Sequence, residues 1–95
     1  MIVHLKLYGV FRSAAGTDAV DLDLSGPPTV RVAIDELVSR PNFAEVKRLI
    51  FGEASDPRPN ALILLAGREI GALGGLDTKL NGDDELSLLP IAHGG

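Results

Sequence analysis

Residues 2–8 alternate, with Val3, Leu5 and Leu7 on one side and His4, Lys6 and Tyr8 on the other. That is the period-2 pattern of a strand with one buried face. The segment Phe11-Arg12-Ser13-Ala14-Ala15-Gly16 is small and turn-like, and alternation resumes over 18–24, with Val20, Leu22 and Leu24 set against Asp21 and Asp23. Together these segments predict an antiparallel hairpin. Pro27-Pro28 stops the second strand. Thr29 then offers an N-cap, and Val30, Ala33, Ile34, Leu37 and Val38 recur at helical spacing while Asp35 and Glu36 turn to solvent. This helix should end near Pro41. A shorter helix is expected over 42–51, capped by Asn42, closed at Gly52, and apolar at Phe43, Val46, Leu49 and Ile50.

Two prolines with Asp, Ser and Asn make 53–60 a loop. Residues 61–66 form a continuous apolar run of strand length, followed by a tight turn at Gly67-Arg68 and a short return strand at Glu69-Ile70. From Gly71 to Gly82 turn residues dominate; Leu73, Leu76 and Leu80 anchor a short helical turn, and Asn81-Gly82-Asp83-Asp84 is a sharp turn before a last strand from Glu85 to Ile91. On that strand Leu86 and Leu88 should face the helix, leaving Leu89 and Ile91 on the outer face beside Ile63 or Leu65. An exposed apolar patch there would suit docking on a partner protein. The predicted fold class is α+β, a mixed sheet packed on one main helix plus a short helix. A single domain over 1–89 should be followed by an extended tail, 90–95.

Composition narrows the classes of function. Ninety-five residues suffice for one core, and 45% hydrophobic with 23% charged residues argues against wholesale disorder. A net charge of −4 lacks the basic footprint of a nucleic-acid binder. No apolar run is long enough to span a bilayer, and Met1-Ile2-Val3-His4 begins neither a signal peptide nor a lipidation motif, so a cytoplasmic protein without a membrane partner is expected. The chain has no cysteine, which removes disulfides and thiolate chemistry. His4 and His93 are the only histidines and show no metal-ligand spacing; no metal site and no catalytic residue is expected. Gly71-Ala72-Leu73-Gly74-Gly75 lacks the Lys-Ser/Thr ending of a phosphate loop, and the adjacent Asp83 and Asp84 read as a solvated corner.

Several segments carry a family resemblance. Leu5-Lys6-Leu7-Tyr8-Gly9-Val10-Phe11 followed by Ala15-Gly16-Thr17-Asp18 resembles the first hairpin of the molybdopterin synthase small subunit and of small archaeal modifier proteins, as does Thr29-Val30 before the helix. Arg58-Pro59, the apolar strand, Leu73-Gly74-Gly75-Leu76-Asp77, Leu80, Asp83-Asp84 and His93-Gly94-Gly95 resemble the ubiquitin-related modifiers, whereas Leu89-Pro90-Ile91 is closer to the molybdopterin synthase and archaeal versions. The resemblance implies a ubiquitin-like β-grasp fold with a flexible C-terminal diglycine tail.

Two of the eleven glycines are the last two residues, Gly94 and Gly95. At an average glycine usage of roughly 7%, such an ending arises by chance in about 0.5% of chains. Glycines permit close backbone approach, and six residues from Pro90 reach roughly 20 Å. The resemblance implies a substrate and carrier, not an enzyme. An activating enzyme adenylates the Gly95 carboxyl using ATP and magnesium, no cofactor being bound by the carrier itself, and a sulfur donor protein converts the adenylate to a thiocarboxylate. Sulfur then passes to tRNA through a tRNA thiolase or to a pterin precursor on a molybdopterin synthase large subunit, or the chain is conjugated to lysines of target proteins. Ile63, Leu65, Leu89, Ile91 and His93 are the docking candidates, and Lys6, Lys47 and Lys79 the candidate acceptors within the chain. The alternatives are a molybdopterin synthase small subunit acting only in sulfur transfer, and a β-grasp interaction module with an inert C terminus.

Overall fold

A computed structural model describes residues 1–91. Strands β1 (Ile2–Leu7), β2 (Ala19–Asp23), β3 (Ala61–Leu65), β4 (Arg68–Glu69) and β5 (Glu85–Pro90) form one sheet in the order β2-β1-β5-β3-β4. β1 and β5 run parallel, and the other neighbours run antiparallel. Helices α1 (Gly9–Ala15), α2 (Val30–Val38) and α3 (Ala44–Phe51) supply the second layer. Val3, Leu5, Leu7, Ile63, Leu86 and Leu88 from the sheet meet Ala33, Ile34, Leu37, Val46 and Ile50 from α2 and α3 in one buried core.

The alternating pattern of the first hairpin translates directly into the β1–β2 ladder, His4 opposite Asp21 and Leu5 opposite Val20. Its connection is not the expected turn but α1. Gly9 takes φ 55° to leave β1, and Gly16 closes the helix in the left-handed region, its N–H donating to Arg12 O. With two turns and Phe11 as its one fully buried residue, α1 is too short to show helical periodicity. A Cβ at Gly9 would lie 2.8 Å from Pro90 Cγ, so the end of β5 packs against the start of α1.

Thr29 caps α2 as expected, its Oγ1 accepting from Val32 N at 3.3 Å. Asn42 does not cap α3. A 3₁₀ turn over Pro41–Phe43 precedes that helix, and Phe43, its N-cap residue, is buried and makes no side-chain cap. Burying the Phe43 ring outweighs the roughly 1 kcal/mol a cap contributes. Gly52 does close α3, donating to Arg48 O. The tight turn after β3 falls one residue earlier than expected, at Ala66-Gly67, both with positive φ. The Gly71–Gly82 segment holds 3₁₀ turns over Ile70–Ala72 and Gly75–Asp77, with Leu76 and Leu80 buried as anchors.

Pro90 is a strand residue, and Ile91 N donates to Asn60 O at 3.0 Å. The sheet therefore extends past residue 89, the expected domain boundary. Leu88 O accepts from Tyr8 N on the β1 side, so the N of Pro90, two residues on, faces the side where β1 has given way to α1. A missing donor there breaks no ladder bond.

Candidate functional site

The face of the sheet turned away from the helices is built in cross-strand rows. Ser87 lies opposite Lys6 on one side and Leu64 on the other, and Leu89 lies opposite Leu62. Tyr8 follows β1 and donates its N–H to Leu88 O, which places it beside Leu89. Residues directly opposite one another in a ladder share a face. Tyr8, Leu89 and Leu62 thus form an apolar row across three strands, followed along the strand axis by Lys6, Ser87 and Leu64, and then by His4 and Glu85.

The same register overturns two expected docking residues. Ile63 pairs with Leu88 and Leu65 with Leu86, so both take the helix-facing side; Ile63 is 1% exposed and Leu65 packs against the core. Because residues 61–65 are apolar on both faces, hydrophobicity does not reveal their parity, and a slip of one residue exchanges the faces. The outer pair is Leu62 and Leu64. Leu89 is half-buried on the outer face as expected, and Ile91, 40% exposed, follows the end of β5. Tyr8 at 41%, Leu62 at 37% and Val10 at 53% surround that same end. Sequence reasoning missed Tyr8 and Leu62 as site residues; Tyr8 was already on the polar side of β1, a position where an aromatic ring must be exposed. His93, Gly94 and Gly95 lie outside the described residues.

At the far end of the face, His4 is held on both ring nitrogens. Nδ1 is 2.7 Å from Asp21 Oδ1 and Nε2 is 3.1 Å from Asp83 Oδ1. Ionised carboxylates only accept, so keeping both contacts requires the imidazolium, and these hydrogen bonds raise the His4 pKa. His4 is thus more than a solvated strand residue: it ties β1 to β2 and to the turn before β5. In the loop before β3, Arg58 donates to Asp56 from its backbone N and its guanidinium, lowering the Asp56 pKa to about 2. Lys6, Lys47 and Lys79 are all exposed. A cleft of about 620 Å³ between α2 and α3, lined by Arg31, Asp35, Val38, Lys47 and Phe51, opens on the helical side and not on the outer sheet face. Among the described residues no group of three or more His, Cys, Asp or Glu side chains is placed to hold a metal. Nor is any helix among them long and apolar enough to cross a membrane.

The hairpin, the crossing helix and the central parallel pair β1–β5 define a β-grasp architecture, and solved structures share it over the whole chain. Small archaeal modifier protein 1 from Methanosarcina acetivorans is 33% identical, with 99% of this chain and 96% of that chain covered and a TM-score of 0.80. SAMP1 from Haloferax volcanii is 26% identical with complete coverage of both chains and a TM-score of 0.84. A Pyrococcus furiosus protein described as molybdopterin converting factor subunit 1 is 26% identical over 97% of this chain and 99% of its own, with a TM-score of 0.76. No family model matches the chain, and no curated protein does. The chain belongs to the ubiquitin-like β-grasp family of sulfur carriers and modifiers.

Proposed function

We propose that the chain is a sulfur carrier and protein modifier of the cytoplasm, activated at the Gly95 carboxyl by an adenylating partner enzyme that uses ATP and magnesium. A carboxylate oxygen of Gly95 attacks the α-phosphorus of ATP, and pyrophosphate leaves. The terminal sulfur of a persulfide on a sulfur donor protein then attacks the acyl carbon and AMP leaves. A second thiol cleaves the resulting acyl disulfide, forming a disulfide with the donor and releasing the C-terminal thiocarboxylate. With no cysteine in the chain, the carried sulfur would sit on Gly95 itself. In conjugation, a neutral lysine amine attacks the acyl carbon of the adenylate instead, the C–O bond to AMP breaks, AMP leaves and the amine gives up a proton to solvent, leaving an isopeptide bond; Lys6, Lys47 and Lys79 would be acceptors of that kind within the chain.

One observation carries this proposal. The exposed apolar side chains Tyr8, Leu62 and Ile91 gather with Leu89 where β5 ends, the point from which the chain leads to Gly94-Gly95. A partner gripping this collar stands next to the terminal segment. Because Ile91 is still hydrogen-bonded to Asn60, Gly95 lies four residues past the last anchored position, a reach of at most about 13 Å at roughly 3.3 Å per residue. The partner's catalytic centre must therefore lie close to the docking surface, and His93 would sit in the passage between them.

Deleting Gly94 and Gly95 should abolish adenylation, read as ATP–pyrophosphate exchange, and leave the melting temperature unchanged. Retained exchange in that variant would sink the proposal. A narrower role as molybdopterin synthase small subunit is favoured by the similarity to the Pyrococcus furiosus protein. A stable complex with a pterin-synthase large subunit would support it, whereas covalent adducts on many proteins would favour the modifier role. A tRNA thiolase as acceptor predicts thiolated tRNA that disappears when the chain is removed.

A further inference from the structure

On the outer face of the three central strands, the charged side chains are His4, Lys6 and Glu85. His4 is engaged by Asp21 and Asp83. Lys6 and Glu85 make no side-chain hydrogen bond or ion pair among the described residues, not even with each other, although they lie on neighbouring positions of the parallel β1–β5 pair. Both are exposed. Along the strand axis, starting at the end from which the terminal segment leaves, these three strands therefore read apolar, cationic, anionic, with Glu69 of the edge strand β4 closing the Lys6 row beyond Leu64. Successive rows are two residues apart, about 6.6 Å.

An apolar patch alone attracts without direction. It would hold the carrier on a partner in several rotations, most of which point Gly95 away from the chemistry. Two unpaired opposite charges in a fixed order remove that degeneracy, because a carboxylate meant for Lys6 meets Glu85 when docking slips by one row. We propose that Lys6 and Glu85 orient the carrier on its activating enzyme, whose surface presents an apolar patch to Tyr8, Leu89 and Leu62, a carboxylate to Lys6 and a basic side chain to Glu85. This rests on the activation of Gly95 proposed above. The order of charges, and not the carrier's total charge, sets productive docking.

The test is adenylation kinetics with the full-length carrier as varied substrate and its adenylating enzyme as catalyst. Lys6→Glu and Glu85→Lys should each raise the KM for the carrier about tenfold, with kcat nearly unchanged. The double exchange Lys6→Glu/Glu85→Lys keeps the net charge, yet it should be worse than either single variant. If only total charge mattered, the single variants would move KM in opposite directions and the double exchange would restore it; that pattern overturns the proposal. So does an unchanged KM in both single variants. Lys6→Gln and Glu85→Gln, which only delete a charge, should show smaller increases of the same sign and cover the case of a charge reversal that fails to fold. A wild-type chain that is never adenylated overturns the activation of Gly95 as well, whereas the other outcomes leave it standing.

Discussion

Ala66 adopts φ 50° and is followed by Gly67 at φ 82°, the paired left-handed residues of a two-residue hairpin turn between β3 and β4. An alanine in that region carries a steric cost of about 1–2 kcal/mol that asparagine partly avoids. Ala66→Asn should therefore stabilise the protein by roughly 0.5–1 kcal/mol in chemical denaturation. A midpoint that stays put or falls would show that the turn is not strained. His4 gives a prediction in pH. Its folded-state pKa is raised, first by the hydrogen bond to Asp21 and then by that to Asp83, so the stabilisation is fully present below the unfolded value of 6.5 and is lost as pH rises through the folded value. Wild type should lose stability relative to His4→Gln as pH rises past 6.5 and through the raised folded-state value. A difference independent of pH would mean the two carboxylate contacts are not made together. Asp56 works in the opposite sense, its lowered pKa giving stabilisation that is present above the unfolded 3.8 and lost as pH falls toward about 2.

At the scale of elements, parity in β3 decides which side chains hold the core and which lie on the outer face. Ile63 and Leu62 are adjacent and chemically alike, yet Ile63 faces Leu88 in the core and Leu62 lies beside Leu89 on the outer face. Ile63→Ala should cost about 2–5 kcal/mol of stability, and Leu62→Ala less than about 1 kcal/mol. Adenylation should respond the other way round, with Leu62→Ala raising the KM for the carrier. Equal stability losses would contradict the register. Elements with one solvated face were legible in the sequence: alternating Val3, Leu5 and Leu7 fixed β1, and Thr29 with Val30, Ala33, Ile34 and Leu37 marked α2 and its cap. What failed was local chemistry overridden by distant packing. Nothing in 61–65 distinguishes its two apolar faces without the β5 register. Asn42 has the chemistry of a cap, but the burial of Phe43 starts α3 later. Phe11 alone could not announce α1.

For the whole molecule, the sheet's two faces divide the work. One face and three helices bury the core; the other carries, on its three central strands, an ordered sequence of apolar, cationic and anionic rows leading away from the end of β5. The candidate site was half legible: Leu89 and Ile91 follow from the alternation of the last strand, while Tyr8 and Leu62 join them only through pairing with β5 from 80 and 27 residues away. The central claim is that the Gly95 carboxyl is the reactive group and the rest of the chain its carrier. Intact-mass measurement of the full chain, after incubation with its activating enzyme, ATP, magnesium and a persulfide donor, tests this most directly. The account predicts the mass gain of one oxygen replaced by one sulfur, confined to the C-terminal peptide and absent without ATP. An unchanged mass, or a gain located elsewhere in the chain, would contradict it.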